Sequence, residues 1–329
     1  MLTVVMYHYV RDLPRTRFPA IHGMRLEHFE GQLDYLTKHY TILDVREILA
    51  AIRGETTLPS NACLLTFDDG FLDHYTVVFP CLDYRRLPAV FFVPGRPIEE
   101  REILDVHGIH FVLAAVSDPR QLIEDVFGLL RQYRPGHDVP DDRTLYQRYA
   151  TATRLDAPEV AFIKRLLQRE LPKDVRSAIV RTLFVRHVST DPASFANELY
   201  MDLEQVRCLV RHGMAVGGHA YDHPWLDTLS APEQADEVRR TVAFLRLFGP
   251  VRPGEWVMSY PYGSHTPTTV DLLRQAGCAM AVTTQVGLAE DLSAPLEIPR
   301  LDAVDLPTSI NAAQSKWTAR VRGDLAGTR

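Results

Sequence analysis

The sequence predicts an α/β fold: a distorted (β/α) barrel of about seven parallel strands, plus a large helical insertion. Three observations predict it. Apolar runs of strand length alternate with stretches of helical spacing at both ends of the chain, the pattern of parallel strands joined by right-handed crossovers. One run, Ala89 to Val93, is apolar throughout, which suits a strand buried on both faces. Residues with chemistry, above all Asp68 and Asp69, follow directly on such runs, where barrels place their functional groups.

Taken in order, Thr3 to Tyr9 reads as the first core strand, with His8 near its end. Residues 11–24 are polar, contain Pro14, Pro19 and His22, and read as a surface loop. Leu26, Phe29, Leu33 and Leu36 mark a helix that runs to His39. A short strand at Thr41 to Leu43 precedes a helix from Val45 to Ile52, with Gly54 as its stop. Ala62 to Phe67 is the second core strand, and Phe71 to Tyr84 a helix or irregular turn broken at Pro80. From Arg96 to Tyr200 the periodicity is helical, punctuated by Pro135, Pro140, Pro158, Pro172 and Pro192. That stretch is too long for a loop of a compact domain. Residues 96–200 are therefore expected to form a helical insertion, a lid or an oligomer contact, on a barrel built from 1–95 and 201–310. Beyond it come a helix at Leu203 to His212, a short strand at Ala215 to Gly218, and a helix at Pro232 to Phe248 with Ser230 as its cap. Strands at Trp256 to Tyr260 and Ala279 to Thr284 flank a helix at Thr268 to Ala276. Leu296 to Leu301 is the last element with chemistry in reach, and 311–329 reads as a partly disordered tail.

Composition narrows the partners. Apolar residues make up 46% and charged residues 24% of 329, and the net charge of −6 argues against nucleic acid and anionic membrane surfaces. No apolar run approaches the roughly 20 residues of a membrane span. Leu2 to Met6 lacks a basic flank and reads as a strand rather than a signal peptide, which gives a cytoplasmic expectation. The four cysteines form no CxxC pair and read as small buried hydrophobes in a reducing compartment.

Asp68 and Asp69 are adjacent and repel, so a cation or a shared proton must hold them. His219 and His223 supply two imidazoles four residues apart. One Asp with two His is a sound ligand set for a divalent metal with open positions. The bland alternatives are a turn-forming Asp pair before Gly70 and two packing histidines. A third cluster, Ser259-Tyr260-Pro261-Tyr262-Gly263, is a proline-stiffened turn.

TFDDG (Thr66–Gly70), then HxxxH, then the PYG turn, preceded by Met6-Tyr7-His8-Tyr9-Val10, resembles the polysaccharide deacetylase family of the nodulation-protein-B type. The resemblance covers residues 1–95 and 200–300 and leaves the middle untouched. It implies the distorted barrel, a metal held by Asp69, His219 and His223, Asp68 as general base, and the Tyr262 N–H as oxyanion donor. Zinc is the first expectation, with Co, Ni or Mn fitting the same ligands. Two departures stand out. Family members carry Arg two residues before the Pro, where this chain has Ser259; Arg300 is the substitute expected to orient the base. The family's late Leu-x-His, its general acid, is missing; His8 takes that role first and His22, otherwise placed at the substrate, second. Tyr221 and Trp225 are expected to pack against sugar C–H faces.

The reaction implied is metal-dependent hydrolysis of an N-acyl group, acetyl or formyl, from an amino sugar. A nucleotide-linked, lipid-linked or oligosaccharide substrate of surface-polysaccharide or O-antigen synthesis is expected. The alternatives are an O-acetyl esterase or non-sugar amidase using the same site, and a catalytically inactive carbohydrate-binding protein.

Overall fold

The computed structural model describes residues 1–154 and 156–323. Seven apolar stretches become parallel strands: β1 (Leu2–Tyr7), β2 (Ala62–Asp68), β3 (Val90–Val93), β4 (Ala215–Gly218), β5 (Trp256–Ser259), β6 (Cys278–Val286) and β7 (Ile298–Asp302). They pair in the order β1-β7-β6-β5-β4-β3-β2, and β2 pairs again with β1, closing the barrel. The β1–β2 seam is regular, from Leu2 opposite Ala62 to Tyr7 opposite Phe67. The far side is distorted. Register shifts between Trp256 and Val257 and between Ile298 and Arg300, and β4 meets β5 at one registered pair, Gly218 with Met258. Thr41–Ile42 adds a short strand to β2 outside the closed ring.

The chain divides into two compact units. One comprises residues 1–12, 23–101 and 197–329, and the other 13–22 and 102–196. The first holds the barrel. There α1 (Leu26–His39) and α2 (Val45–Ile52) follow β1, and α2 opens on a capping box between Asp44 and Glu47. After β2, residues 74–78 form a wide π turn that runs into α3 (Phe79–Arg85). Pro80 does not break this segment as expected. It sits in the first turn of α3, where its missing N–H costs little. After β3 comes α4 (Gly95–Glu99).

The second unit is helical: α5 (Asp105–Ala115), α6 (Pro119–Tyr133), α7 (Asp142–Tyr149), α8 (Pro158–Arg165) and α9 (Lys173–His187), with α10 (Pro192–Leu199) leading out of it. Its core includes Ile109, Phe111, Val126, Leu130, Phe162, Ile179 and Phe184. The segment expected to be a surface loop joins this core over residues 13–22. Leu13 and Ile21 are buried, and Phe18 packs edge-on against Phe111 and Phe195. Three apolar anchors in a polar stretch were enough to pull it in.

Back in the barrel unit, α11 (Leu203–Arg211) precedes β4, α12 (Ala231–Leu245) follows it, and α13 (Pro267–Gln275) follows β5. The tail is more ordered than expected over α14 (Lys316–Arg322). Ser315 Oγ accepts the Thr318 N–H, the Tyr35 hydroxyl donates to Thr318 Oγ1 at 2.8 Å, and Val321 is buried. The remainder of that tail, 324–329, lies outside the described residues. All four cysteines are free thiols; Cys63 and Cys278 are buried, whereas Cys81 and Cys208 are only partly so. Among the described residues, no helix is long and apolar enough to cross a membrane.

Candidate active site

Three strand ends converge on the site. β2 finishes at Asp68, and the chain turns at once through Asp69, whose φ is 82°, and Gly70. A non-glycine residue in that left-handed region is held against its preference. β4 ends in Gly217-Gly218 before the turn bearing both histidines. The two glycines have a packing cause. A Cβ on Gly217 would meet the Phe92 ring at 2.6 Å, and one on Gly218 would meet Thr241 Cγ2 of α12 at 2.4 Å. β5 ends at Ser259, next to the Pro261–Gly263 turn.

The ligand atoms of Asp69, His219 and His223 all lie within 4.8 Å of one another. Asp69 Oδ1 is 3.4 Å from Nε2 of each histidine, and the two Nε2 atoms are 3.2 Å apart. Tetrahedral coordination with bonds of about 2.0–2.2 Å separates its ligand atoms by about 3.3–3.6 Å. The triangle therefore has the size of one face of such a site. His219 Nδ1 donates to the Ser259 carbonyl at 2.8 Å, which leaves its Nε2 lone pair directed at the cluster. Burial works against a charge on His219. The Asp68 and Asp69 carboxylates outweigh it and raise the His219 pKa, so the cluster favours positive charge. Donor set, spacing and charge all fit a divalent cation.

Asp68 is buried beside this cluster, and Arg300 clamps it. Nη1 donates to Oδ1 at 2.9 Å and Nη2 to Oδ2 at 2.7 Å, a bidentate pair. The guanidinium is fully used: Nε donates to the Thr283 carbonyl, Nη1 also to Thr66 Oγ1, and Nη2 also to Ser259 Oγ. Ser259 Oγ in turn donates to Asp68 Oδ2 at 3.0 Å. Burial pushes the Asp68 pKa up, but the positive charge of Arg300, with those of His219 and His8, wins and holds it at about 2. A carboxylate so placed stays ionised at every ordinary pH.

His8 follows β1 close enough for its charge to act on Asp68, and its carbonyl accepts from Nε2 of the buried His74 at 2.9 Å. Tyr262 has a φ of 58°, and its ring stacks on Trp225 at 4.2 Å and meets His223 edge-on at 4.8 Å. Trp225 and Tyr262 thus form an aromatic pair beside the cluster. Tyr221 is engaged by the chain itself. Its ring fills the space over Gly95, the Arg240 guanidinium lies 3.7 Å from its centroid, and its hydroxyl donates to Glu100. His22 lies in the second unit, where it lines a cavity with Ile21, His110, Leu113 and Val160.

Two polar residues escaped the sequence reading. Ser259 registered there as the start of a proline-stiffened turn and as a missing arginine, yet it touches Asp68, Arg300 and His219. Glu237 is buried under the histidine turn, and its carboxylate accepts the Tyr221 and Asp222 N–H groups. The available signal was a polar row, Gln234, Glu237 and Thr241, on the face of α12 that also carries Val238 and Phe244.

A closed parallel barrel with carboxylates and imidazoles gathered at the C-terminal ends of its strands defines a (β/α) barrel with a candidate site at that rim. Residues 178–281 match the family model described as polysaccharide deacetylase. The poly-β-1,6-N-acetyl-D-glucosamine N-deacetylase of Escherichia coli K12 is 44% identical over 93 residues. That match spans 28% of this chain and 13% of the relative. Among solved structures, a de-N-acetylase from Aggregatibacter actinomycetemcomitans superposes with a TM-score of 0.56 at 14% identity, covering 98% of this chain and 99% of that one. IcaB from Ammonifex degensii gives 0.52 at 21%, covering 91% and 90%. The Streptococcus pyogenes deacetylase PplD gives 0.54 at 16%, covering 92% and 91%. At these identities the likeness is one of fold.

Proposed function

We propose that this protein is a metal-dependent N-deacetylase of β-1,6-linked N-acetylglucosamine chains or a similar N-acylated amino-sugar polymer of the cell surface. The observation that carries the reading is the buried Asp68–Arg300 pair set beside three convergent ligand atoms from Asp69, His219 and His223. A divalent ion held by those three would polarise the amide carbonyl and acidify the attacking water. Zinc is our choice among the ions that suit one Asp and two His.

Asp68 then receives the proton of that water. Oδ2 already accepts from Arg300 and Ser259, while Oδ1 accepts from Arg300 alone, so Oδ1 has the spare lone pair. A carboxylate held at about pKa 2 is a weak base, competent only towards acidified water. Such a base makes sense beside a cation and little sense without one. The Tyr262 N–H donates to the developing oxyanion, and His8 delivers a proton to the leaving amine. Trp225, backed by Tyr262, offers its face to the sugar.

Acetate release from N-acetylglucosamine oligomers tests the reading. Wild type is expected to release acetate, and Asp68→Asn to lose at least about a hundredfold in kcat while still binding the ion. N-formyl and O-acetyl sugars serve as competitors. Exclusive turnover of the ester, or undiminished turnover by Asp68→Asn, would overturn it.

A further inference from the structure

Beneath the turn that carries both histidines lies a buried carboxylate. Residues 219–223 belong to no regular element: Ala220 and His223 have φ of 55° and 52°, the left-handed region that L residues enter at a cost. A turn of this shape must have its backbone held from outside, and all four central groups are. Glu237 Oε2 accepts the Tyr221 N–H at 2.9 Å and the Asp222 N–H at 3.0 Å. From the other side, the Gly95 and Arg96 N–H groups at the start of α4 donate to the Ala220 and Tyr221 carbonyls at 3.4 and 3.0 Å.

Glu237 is 6% exposed and shares its helix face with Val238, Thr241 and Phe244. A carboxylate there is costly unless bonds to charge-seeking partners offset its desolvation. Arg240, one turn further along α12, completes the set. It pairs with Asp222 at 3.0 Å, approaches Glu237 Oε1 at 3.7 Å, and lies over the Tyr221 ring.

We propose that Glu237 is a positioning residue for the metal site, holding residues 219–223 in the shape that turns both imidazoles towards Asp69. The inference rests on the metal reading above and names the residue, outside the ligands, on which affinity depends. Hydrogen bonds to an ionised acceptor are about twice as strong as neutral ones. One oxygen bridging two successive N–H groups fixes the backbone between the histidines. Without it, two buried N–H groups lose their partner, and Ala220 and His223 lose the constraint that holds them at positive φ.

The test compares wild type with E237A and E237Q in two measurements. One is Co2+ affinity of the metal-free protein by calorimetry; the other is hydrogen exchange at the Tyr221 and Asp222 amides with no metal added. E237A is expected to bind Co2+ about 10–100-fold more weakly, the range for losing an outer-sphere partner. It is also expected to lose protection at both amides. E237Q, whose amide oxygen can still accept both N–H groups, is expected to restore most of the affinity and the protection. If E237A does not fold, E237D carries the same expectation, because its shorter arm does not span to both groups. Arg239→Ala, on the exposed face of α12, controls for general loosening of the helix. Wild-type affinity in a folded E237A or E237D overturns the positioning role and leaves the metal reading standing. Failure of the wild type to take up Co2+ overturns the metal reading, and this inference with it.

Discussion

Arg300 spends every N–H it has, and two of them go to the carboxylate on which the proposed chemistry turns. Truncating one member of a buried, hydrogen-bonded ion pair strands the other, at a typical cost of about 3–5 kcal/mol. Arg300→Leu is therefore expected to lower unfolding free energy by about that much in urea titrations. Arg300→Lys keeps the charge but not the fork and falls between. Full stability in Arg300→Leu would mean that the clamp is not needed to hold Asp68. That Arg300 supplies the cation beside Asp68 was open to inspection in the sequence, since a buried carboxylate in a barrel needs a partner charge and Arg300 stands at a strand. The part played by Ser259 was not legible. It joins residues 191 and 41 positions away, and a serine ending an apolar strand carries no mark of such contacts.

At the scale of elements, β4 and α12 approach so closely that Gly218 has no room for a methyl group. Gly218→Ala is expected to destabilise by about 1–3 kcal/mol through overpacking. Thr241→Ser removes the atom it strikes and keeps the hydroxyl that donates to the Glu237 carbonyl, so the double variant should recover part of the loss. Denaturation midpoints of the four proteins measure the coupling, and strict additivity would show that the helix is free to retreat.

The π turn after β2 places His74 in a fully buried aromatic pocket of Phe67, Phe71 and Phe91. Burial lowers its pKa to about 4 despite the favourable His8 carbonyl. A neutral buried histidine destabilises nothing above pH 6.5. As pH falls from 6.5 to about 4 the unfolded chain takes up a proton that the folded one refuses, and stability declines by about 3 kcal/mol. Asp68 is depressed instead, so its contribution is present above about pH 4 and fades towards pH 2. Two separate acid windows are expected in stability-against-pH curves. His74→Leu should erase the upper one; its persistence would contradict the assignment. The turn itself was not legible, because a proline at position 80 reads as a break until the helix start is known.

At the scale of the molecule, a barrel of about seven parallel strands followed from alternation of apolar runs and helical spacing, whereas the order of the strands around the ring is read from the structure alone. That Asp69, His219 and His223 would gather at one rim was legible for a related reason: Asp69 and His219 follow directly on strand ends, which in one barrel meet at one rim, and His223 closes the same turn. Residues 13–22 misled because periodicity ranks a segment by polar content, while Leu13, Phe18 and Ile21 alone decide where it packs. Glu237 stayed hidden because its value depends on a turn that lies over it only in the folded chain.

The most direct measurement is a calorimetric titration of metal-free protein with Zn2+, run in parallel on Asp69→Asn, His219→Ala and His223→Ala. One ion per chain is expected for the wild type. Each substitution is expected to weaken binding at least tenfold while the barrel stays folded. Stoichiometric uptake that all three variants retain would contradict the site.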